Sequence, residues 1–142
     1  MPGPTTHRQY PTTNRSVARA RSDSLAFLSF CGIGREEEFA GDLVLVISEL
    51  VTNAVTHGRA PGTSGRRVGM SIEKDGNVFR VEVRDTQSDA MPVLCEARIG
   101  LDGGGRGLWL VDSLADKWGV RPEGVGKTVW AEKEFGAGNV GE

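Results

Sequence analysis

The sequence has few of the residues that build metal centres, disulfides or membrane anchors. Its 142 residues include two cysteines, and neither Cys31 nor Cys95 has a cysteine or histidine at the spacing of a zinc or redox motif. Lys and Arg number 17 against 19 Asp and Glu, so no basic field favours nucleic acid. No apolar run approaches the roughly 20 residues that span a bilayer, and the N-terminal residues contain no apolar core of signal-peptide length. We therefore expect a cytoplasmic protein that contacts neither nucleic acid nor membrane.

The distribution of Pro and Gly predicts one domain between two unstructured ends. A chain of 142 residues without an internal repeat fits a single domain with its own core. Residues 1–14 are rich in Pro and Thr and lack apolar periodicity, so we predict a disordered arm there. Residues 15–135 are predicted to form the domain, and residues 136–142 a flexible tail.

Apolar periodicity predicts the element order helix, helix, strand, strand, helix, strand, strand. These elements are expected at residues 16–29, 35–57, 68–73, 78–85, 108–115, 116–120 and 127–132. Helices that do not alternate with strands predict an α+β two-layer sandwich, with a mixed or antiparallel sheet covered on one face by helices. The strand residues expected to pack on the second helix are Met70, Ile72, Val81, Val83, Val129 and Ala131.

Glu49 and Asn53 are polar residues at the margin of the apolar stripe of the second helix. They are four residues apart and therefore share one helix face. In most helices such a pair is simply a solvated edge. The alternative is a ligand site in which Asn53 supplies an oxygen to Mg²⁺ and Glu49 orients or deprotonates a nucleophile. The pair alone leaves both interpretations open.

A glycine-rich loop is predicted at residues 102–107, directly before the third helix. Free backbone N–H groups and the positive dipole end of a helix favour an anion there, and glycines let a phosphate come close. Glycine loops also serve as plain connections. This loop lacks the Gly-Lys-Ser/Thr of a Walker motif, and it stands too far from the preceding strand for a Rossmann fingerprint.

Four separated segments, taken together, resemble the GHKL ATPase superfamily of gyrase-type ATPases and histidine kinases. The segment from Glu49 through Asn53 to Gly58 resembles its N box, and residues 81–85 resemble the strand that carries its adenine-binding aspartate. Residues 104–111 resemble its second glycine box, and residues 126–129 its closing strand. The short length of the chain and the residues of each segment most resemble the RsbW-like anti-sigma-factor serine/threonine kinases.

The resemblance implies a nucleotide site assembled from all four segments. Asn53 is expected to chelate the Mg²⁺ that bridges the phosphates of ATP, and Glu49 to act as general base. Asp85 is expected to accept a hydrogen bond from the adenine amino group, with Thr128 assisting nearby. The residues expected to line the phosphates are Gly103, Gly104, Gly105, Arg106, Gly107 and Leu108.

The resemblance further implies the GHKL, or Bergerat, ATP-binding fold and a regulatory kinase. Such a kinase binds a sigma factor and phosphorylates an anti-anti-sigma antagonist. The sequence leaves open whether the chain also forms a homodimer. In the superfamily the aspartate begins Asp-x-Gly-x-Gly, whereas here the run Asp85-Thr-Gln-Ser-Asp89 has neither glycine. This departure favours an alternative, a non-catalytic module that sequesters a partner with weak or no use of ATP. The connection over residues 86–100 is expected to act as an irregular link or lid.

Overall fold

Three helices and five strands make up the part of the chain that the structure, a computed structural model, describes: residues 3–57, 67–85, 103–123 and 126–136. The helices are α1 (Arg15–Phe30), α2 (Glu38–His57) and α3 (Gly103–Leu114). The strands are β1 (Thr5–Pro11), β2 (Arg67–Asp75), β3 (Val78–Asp85), β4 (Lys117–Pro122) and β5 (Lys127–Glu134). The predicted order from α1 onward is confirmed. The predicted lid over residues 86–100 and the tail beyond residue 136 lie outside the described residues.

The five strands form one antiparallel sheet in the order β1-β2-β3-β5-β4. A two-residue turn joins β2 to β3, and Gly76 in it has a φ of 63°, which glycine adopts without a Cβ clash. The last strand, β5, lies between β3 and β4, so that Val81 stands opposite Ala131 and Asp85 opposite Lys127. The α+β class with one helix-covered sheet is confirmed, and the sheet is antiparallel.

One face of the sheet packs on the helices and forms the hydrophobic core. α2 lies at the centre of this layer and contacts α1, α3, β2, β3 and β5. All six predicted inward strand residues are buried there, namely Met70, Ile72, Val81, Val83, Val129 and Ala131. They meet the buried stripe of α2, which includes Leu43, Val46, Ile47, Leu50 and Val51. Each fully buried aliphatic side chain contributes about 1.5–3 kcal/mol, so this interface is the main source of stability.

α2 combines a length and a composition that would suffice to cross a membrane. Residues Glu38–Thr56 pass that test, yet more than half of them are buried inside the domain. A helix enclosed by other elements needs apolar residues on most of its surface. The packing of α2 against two helices and the sheet therefore explains its composition.

α1 ends where the sequence predicts, at Cys31 and Gly32. Gly32 has a φ of 90°, and its N–H donates to the carbonyl of Ser29 at 2.9 Å. The N–H of Ile33 donates to the carbonyl of Leu28 at 2.8 Å. These two bonds satisfy carbonyls that the helix end leaves free, and the buried contact of Leu28 with Ile33 directs the chain toward α2.

The expectation of a disordered arm over residues 1–14 is wrong for residues Thr5–Pro11. These residues form β1, an edge strand that pairs with β2 along its whole length. The strand contains a single fully buried side chain, that of Tyr10, so its sequence has no apolar alternation to reveal it. Backbone hydrogen bonds to β2 hold the strand in place, and such bonds do not require an alternation of apolar and polar side chains in the sequence.

Tyr10 also ties β1 to the helix layer. Its hydroxyl donates to the Asp23 carboxylate of α1 at 2.6 Å, and the Arg19 guanidinium lies 5.5 Å from the centre of its ring. Burial, together with the hydrogen bond to Asp23, raises the pKa of Tyr10 well above its ordinary value. The edge strand is therefore anchored on two sides, by β2 and by α1.

Candidate functional site

Glu49 and Asn53 lie along one edge of α2, as their spacing predicts. Both side chains are half-buried, while Leu50 and Ala54 beside them are buried in the core. Within the described ranges, neither Glu49 nor Asn53 makes a hydrogen bond or ion pair through its side chain. A carboxylate and a carboxamide that are shielded from solvent but lack protein partners are available to a ligand.

Asp85, the last residue of β3, forms a buried ion pair with Lys127, the first residue of β5. Lys127 Nζ lies 2.9 Å from Asp85 Oδ2, and the two side chains are 2% and 3% exposed. The register of β3 and β5 places them directly opposite each other on the helix-covered face of the sheet. Asp85 has a further interaction besides this one. The carboxylate expected to read the base is thus already bound by an ammonium group.

Thr128 lies on the opposite face of the sheet from Asp85. Successive residues of a strand alternate between faces, and Thr128 pairs in register with Arg84 and Arg121 on the outer face. Its hydroxyl donates to Glu123 Oε2 at 2.8 Å. The structure therefore does not bring Thr128 to the carboxylate that it was expected to assist.

Lys127 is the residue that sequence reasoning missed. The signal was available, because Val129 was correctly assigned to the inner face of β5. Counting back two residues from Val129 places Lys127 on that same face and Thr128 on the other. The family resemblance led instead to Thr128, since a hydroxyl is the expected partner of an adenine-binding aspartate.

The glycine-rich segment forms the first turns of α3, where the sequence analysis predicted a loop ahead of Leu108. The helix begins at Gly103 and is held to the core by Leu108 and Val111, which are buried. No proline stops the helix from extending toward its N-terminus, although each helical glycine costs about 1 kcal/mol relative to alanine. Because the helix begins at Gly103 and not at Leu108, its free N–H groups belong to residues 103–106. Phosphate binding by this segment stays a prediction, and the Arg106 side chain lies outside the described residues.

The outer face of the sheet carries a network of ion pairs. Arg80 pairs with Glu82 at 2.8 Å and with Glu132 at 2.7 Å, and Arg121 pairs with Glu82 at 3.2 Å and with Glu123 at 3.1 Å. Burial alone would raise the pKa of Glu82, but hydrogen bonds from Arg80 and Arg121 outweigh it and hold that pKa below its ordinary value.

A shallow groove of about 580 Å³ crosses this outer face and includes Glu82, Arg121, Glu123 and Thr128. None of Glu49, Asn53 and Asp85 lines it. The groove is a polar surface whose named acids are paired with bases. It lies on the side of the sheet away from the predicted site.

A metal ion would find few protein ligands near the predicted site. Among the described residues there is no group of three or more His, Cys, Asp and Glu side chains that could hold one. Mg²⁺ in nucleotide sites takes one or two protein oxygens and completes its shell with phosphates and water. The single amide oxygen of Asn53 fits that pattern, provided that a nucleotide supplies the rest.

Comparison with known proteins places the chain in a family. The model of the family described as the histidine kinase-like ATPase domain matches residues 10–133. The RsbU and RsbW domains of Rv1364c from Mycobacterium tuberculosis are 23% identical, with a TM-score of 0.65 over 92% of this chain and 32% of that one. The histidine kinase domain of the blue-light activated histidine kinase EL346 from Erythrobacter litoralis is also 23% identical, with a TM-score of 0.57 over 88% and 61%.

These likenesses concern the fold, and the chain spans about a third and about three fifths of the two solved chains. No curated protein matches the chain. The family match covers most of the sequence, including β3, α3 and the edge of α2 that carries Glu49 and Asn53. The resemblance of the four segments to the GHKL superfamily is therefore confirmed, and the chain belongs to the histidine kinase-like ATPase domain family.

Proposed function

We propose that this domain is a cytoplasmic Mg-ATP-dependent protein serine/threonine kinase of the anti-sigma-factor type. It binds a sigma factor and transfers the γ-phosphoryl group of ATP to an anti-anti-sigma antagonist, and thereby regulates transcription. The observation that carries this proposal is the half-buried pair on α2, Glu49 and Asn53, which has no protein partner among the described residues. Family membership and the fold likeness to an RsbW domain support it.

Each residue has a chemical role in this proposal. Asn53 would hold Mg²⁺ through its carboxamide oxygen, and the cation would supply positive charge at the phosphates. Glu49 lies one helical turn earlier and accepts the proton of the attacking hydroxyl. The N-terminus of α3 receives the phosphates on its free N–H groups, and Asp85 accepts a hydrogen bond from the base.

The partner protein needs an accessible apolar surface, and the end of α1 offers one. The Phe30 side chain is 77% exposed, and a shallow groove beside it is lined in part by Leu25 and Ala26. We propose that the sigma factor binds to this surface. If the surface instead joined two copies of the chain, the molecular mass measured in solution would be doubled.

A second candidate function is a non-catalytic module that sequesters its partner. The Asp85–Lys127 ion pair favours it, because the carboxylate expected to bind adenine is engaged within the protein. The absence of both glycines after Asp85 points in the same direction.

Thermal unfolding with and without Mg-ATP tests nucleotide binding directly. Saturation at 100 times the dissociation constant adds about 2.7 kcal/mol, which raises the unfolding midpoint by roughly 10 °C. Asn53→Ala should lose the part of this shift that depends on Mg²⁺. Thr52→Ala is the matched control, since Thr52 is the exposed neighbour on the same helix and its variant should respond as the wild type does. No shift at millimolar Mg-ATP would reject the kinase and leave the sequestering module.

Phosphoryl transfer separates the two candidates once binding is established. Labelled ATP and the purified antagonist should yield labelled serine or threonine with the wild type. Glu49→Gln should bind Mg-ATP and the sigma factor normally, yet transfer phosphate at least 100-fold more slowly, as expected for loss of a general base. Normal sigma-factor binding with no transfer by the wild type would identify the sequestering module.

A further inference from the structure

Lys127 occupies the end of the proposed nucleotide site where the base is expected. We propose that Lys127 contacts the nucleobase, and that the Asp85–Lys127 pair makes the site accept guanine as well as adenine. This inference rests on the proposed function, since it concerns the same nucleotide. It gives Lys127 the place beside Asp85 that the family resemblance implies for Thr128.

The first argument is the hydrogen bonding of the Lys127 ammonium group. An ammonium group has three N–H donors and no acceptor. Within the described part of the chain, Asp85 is the one acceptor bonded to Lys127 Nζ, and the side chain is only 2% exposed. A buried charged donor without an acceptor is costly, so the remaining N–H groups call for an acceptor from a ligand.

The second argument is that stability does not explain the pair. Removing two charges from water costs about as much as their attraction returns, and apolar pairs of similar volume are often as stable. Val83 and Val129 form the buried register pair beside Asp85 and Lys127, so an apolar pair at residues 85 and 127 would continue the core. A charged pair kept inside the helix-covered face is therefore better explained by a ligand that needs both charges.

The third argument is the chemistry of the purine edge. Adenine presents the donor N6–H beside the acceptor N1, and guanine presents the acceptor O6 beside the donor N1–H. A carboxylate alone suits the adenine amino group but would face O6 of guanine with like partial charge. With Lys127 beside it, the site offers one donor and one acceptor. Lys127 then donates to N1 of adenine with Asp85 accepting from N6–H, or donates to O6 of guanine with Asp85 accepting from N1–H.

The pair therefore predicts relaxed base selectivity. Both side chains are buried, so the base must open this end of the site to reach them. With either purine, two charge-assisted hydrogen bonds to the base offset the free-energy cost of that opening. We expect the dissociation constants of Mg-ATP and Mg-GTP to lie within about tenfold of each other, and Mg-ITP, which shares O6 and N1–H with GTP, to resemble Mg-GTP.

Equilibrium titration with Mg-ATP, Mg-GTP and Mg-ITP tests this on the wild type and two variants. Lys127→Thr removes the donor to N1 of adenine and to O6 of guanine alike, and leaves the Asp85 carboxylate, which suits N6–H of adenine but opposes O6 of guanine. The preference for ATP over GTP should therefore rise at least about tenfold, the discrimination that one good pair of hydrogen bonds supplies. Thr128→Val is the matched control, because its side chain lies on the outer face, and its selectivity should equal that of the wild type. The ratio of affinities is measured because a general loss of protein stability would weaken the binding of all three nucleotides alike.

The outcomes distinguish this inference from the proposed function. If the wild type prefers ATP over GTP and ITP by more than about tenfold, or if Lys127→Thr leaves the ratio unchanged, the role of Lys127 is overturned and the nucleotide site stands. If no nucleotide binds, both proposals fail. If Lys127→Thr does not fold, the wild-type affinities for ATP, GTP and ITP decide alone.

Discussion

The two faces of the sheet carry ion pairs of opposite character. On the inner face, Lys127 and Asp85 form one pair whose side chains are 2% and 3% exposed. On the outer face, Arg80, Glu82 and Arg121 belong to a network whose side chains are 28–46% exposed. The two sites lie on the same strands, β3 and β5, or next to them. Burial is therefore the variable that distinguishes them.

This difference teaches which charges the fold can lose. Exposed pairs gain about 0–1 kcal/mol, because water and salt screen them and both side chains lose freedom. A buried pair contributes little net stability as a pair, but removal of one member leaves a charge that water cannot reach. The outer network can thus vary at small cost, whereas Asp85 and Lys127 must be kept or replaced together.

The largest expected effect comes from Lys127→Met. The variant keeps the length of the side chain and leaves the Asp85 charge buried without its ammonium partner, which should cost about 3–5 kcal/mol. The unfolding midpoint should fall by roughly 10–20 °C. Denaturant unfolding at neutral pH measures the loss.

The control for Lys127→Met is the same change combined with Asp85→Asn. The double variant removes both charges and keeps the shape and hydrogen bonding of residue 85, so it should recover most of the lost stability. A non-additive recovery of this kind is the signature of two residues in direct contact. A single variant as stable as the wild type would mean that solvent reaches the pair, and the contrast between the two faces would disappear.

An intermediate effect is expected from Tyr10→Phe, at the inner side of the edge strand. The change deletes the 2.6 Å hydrogen bond to the Asp23 carboxylate and should cost about 1.5–2 kcal/mol, as hydrogen bonds to charged groups do. The pKa of Tyr10 is raised in the folded state, so its contribution is complete below the pKa of an unfolded tyrosine and declines as pH rises above it. Unfolding in urea should therefore show the wild type and variant converging above about pH 10.

Asp23→Asn serves as the control for Tyr10→Phe. It keeps an acceptor for the Tyr10 hydroxyl and removes only the charge, so it should cost less than Tyr10→Phe. Equal losses would show that the charge of Asp23, and not the bond from Tyr10, holds β1 to α1.

The sheet and its helix layer could be predicted from sequence because their side chains alternate with the correct period. Val81 and Val83 are separated by polar residues that face outward, and the stripe of α2 repeats at helical steps. β1 could not be predicted in this way, because one buried side chain, Tyr10, carries no periodicity. Its pairing with β2 is a backbone property that depends on the neighbouring strand.

The candidate site was predictable where it lies within one element and not where it joins two. Glu49 and Asn53 share a face by helical geometry alone, and the structure places them as expected. The partner of Asp85 depends on the register between β3 and β5, which the sequence of either strand leaves open. Alternation within β5 nevertheless assigns Lys127, and not Thr128, to the inner face, because Val129 lies two residues further along that strand.

The smallest expected effect is that of Glu82→Gln on the outer face. At neutral pH the variant should lose no more than about 1 kcal/mol, and 1 M salt should reduce the loss further. Because the folded-state pKa of Glu82 is lowered, its contribution is present above the ordinary pKa of a glutamate and fades as pH falls through the folded value. The two proteins should therefore have equal unfolding free energies in acid, measured by urea titration at a series of pH values. A loss as large as that of Lys127→Met would place the outer network in an environment as dry as the core, against its exposure.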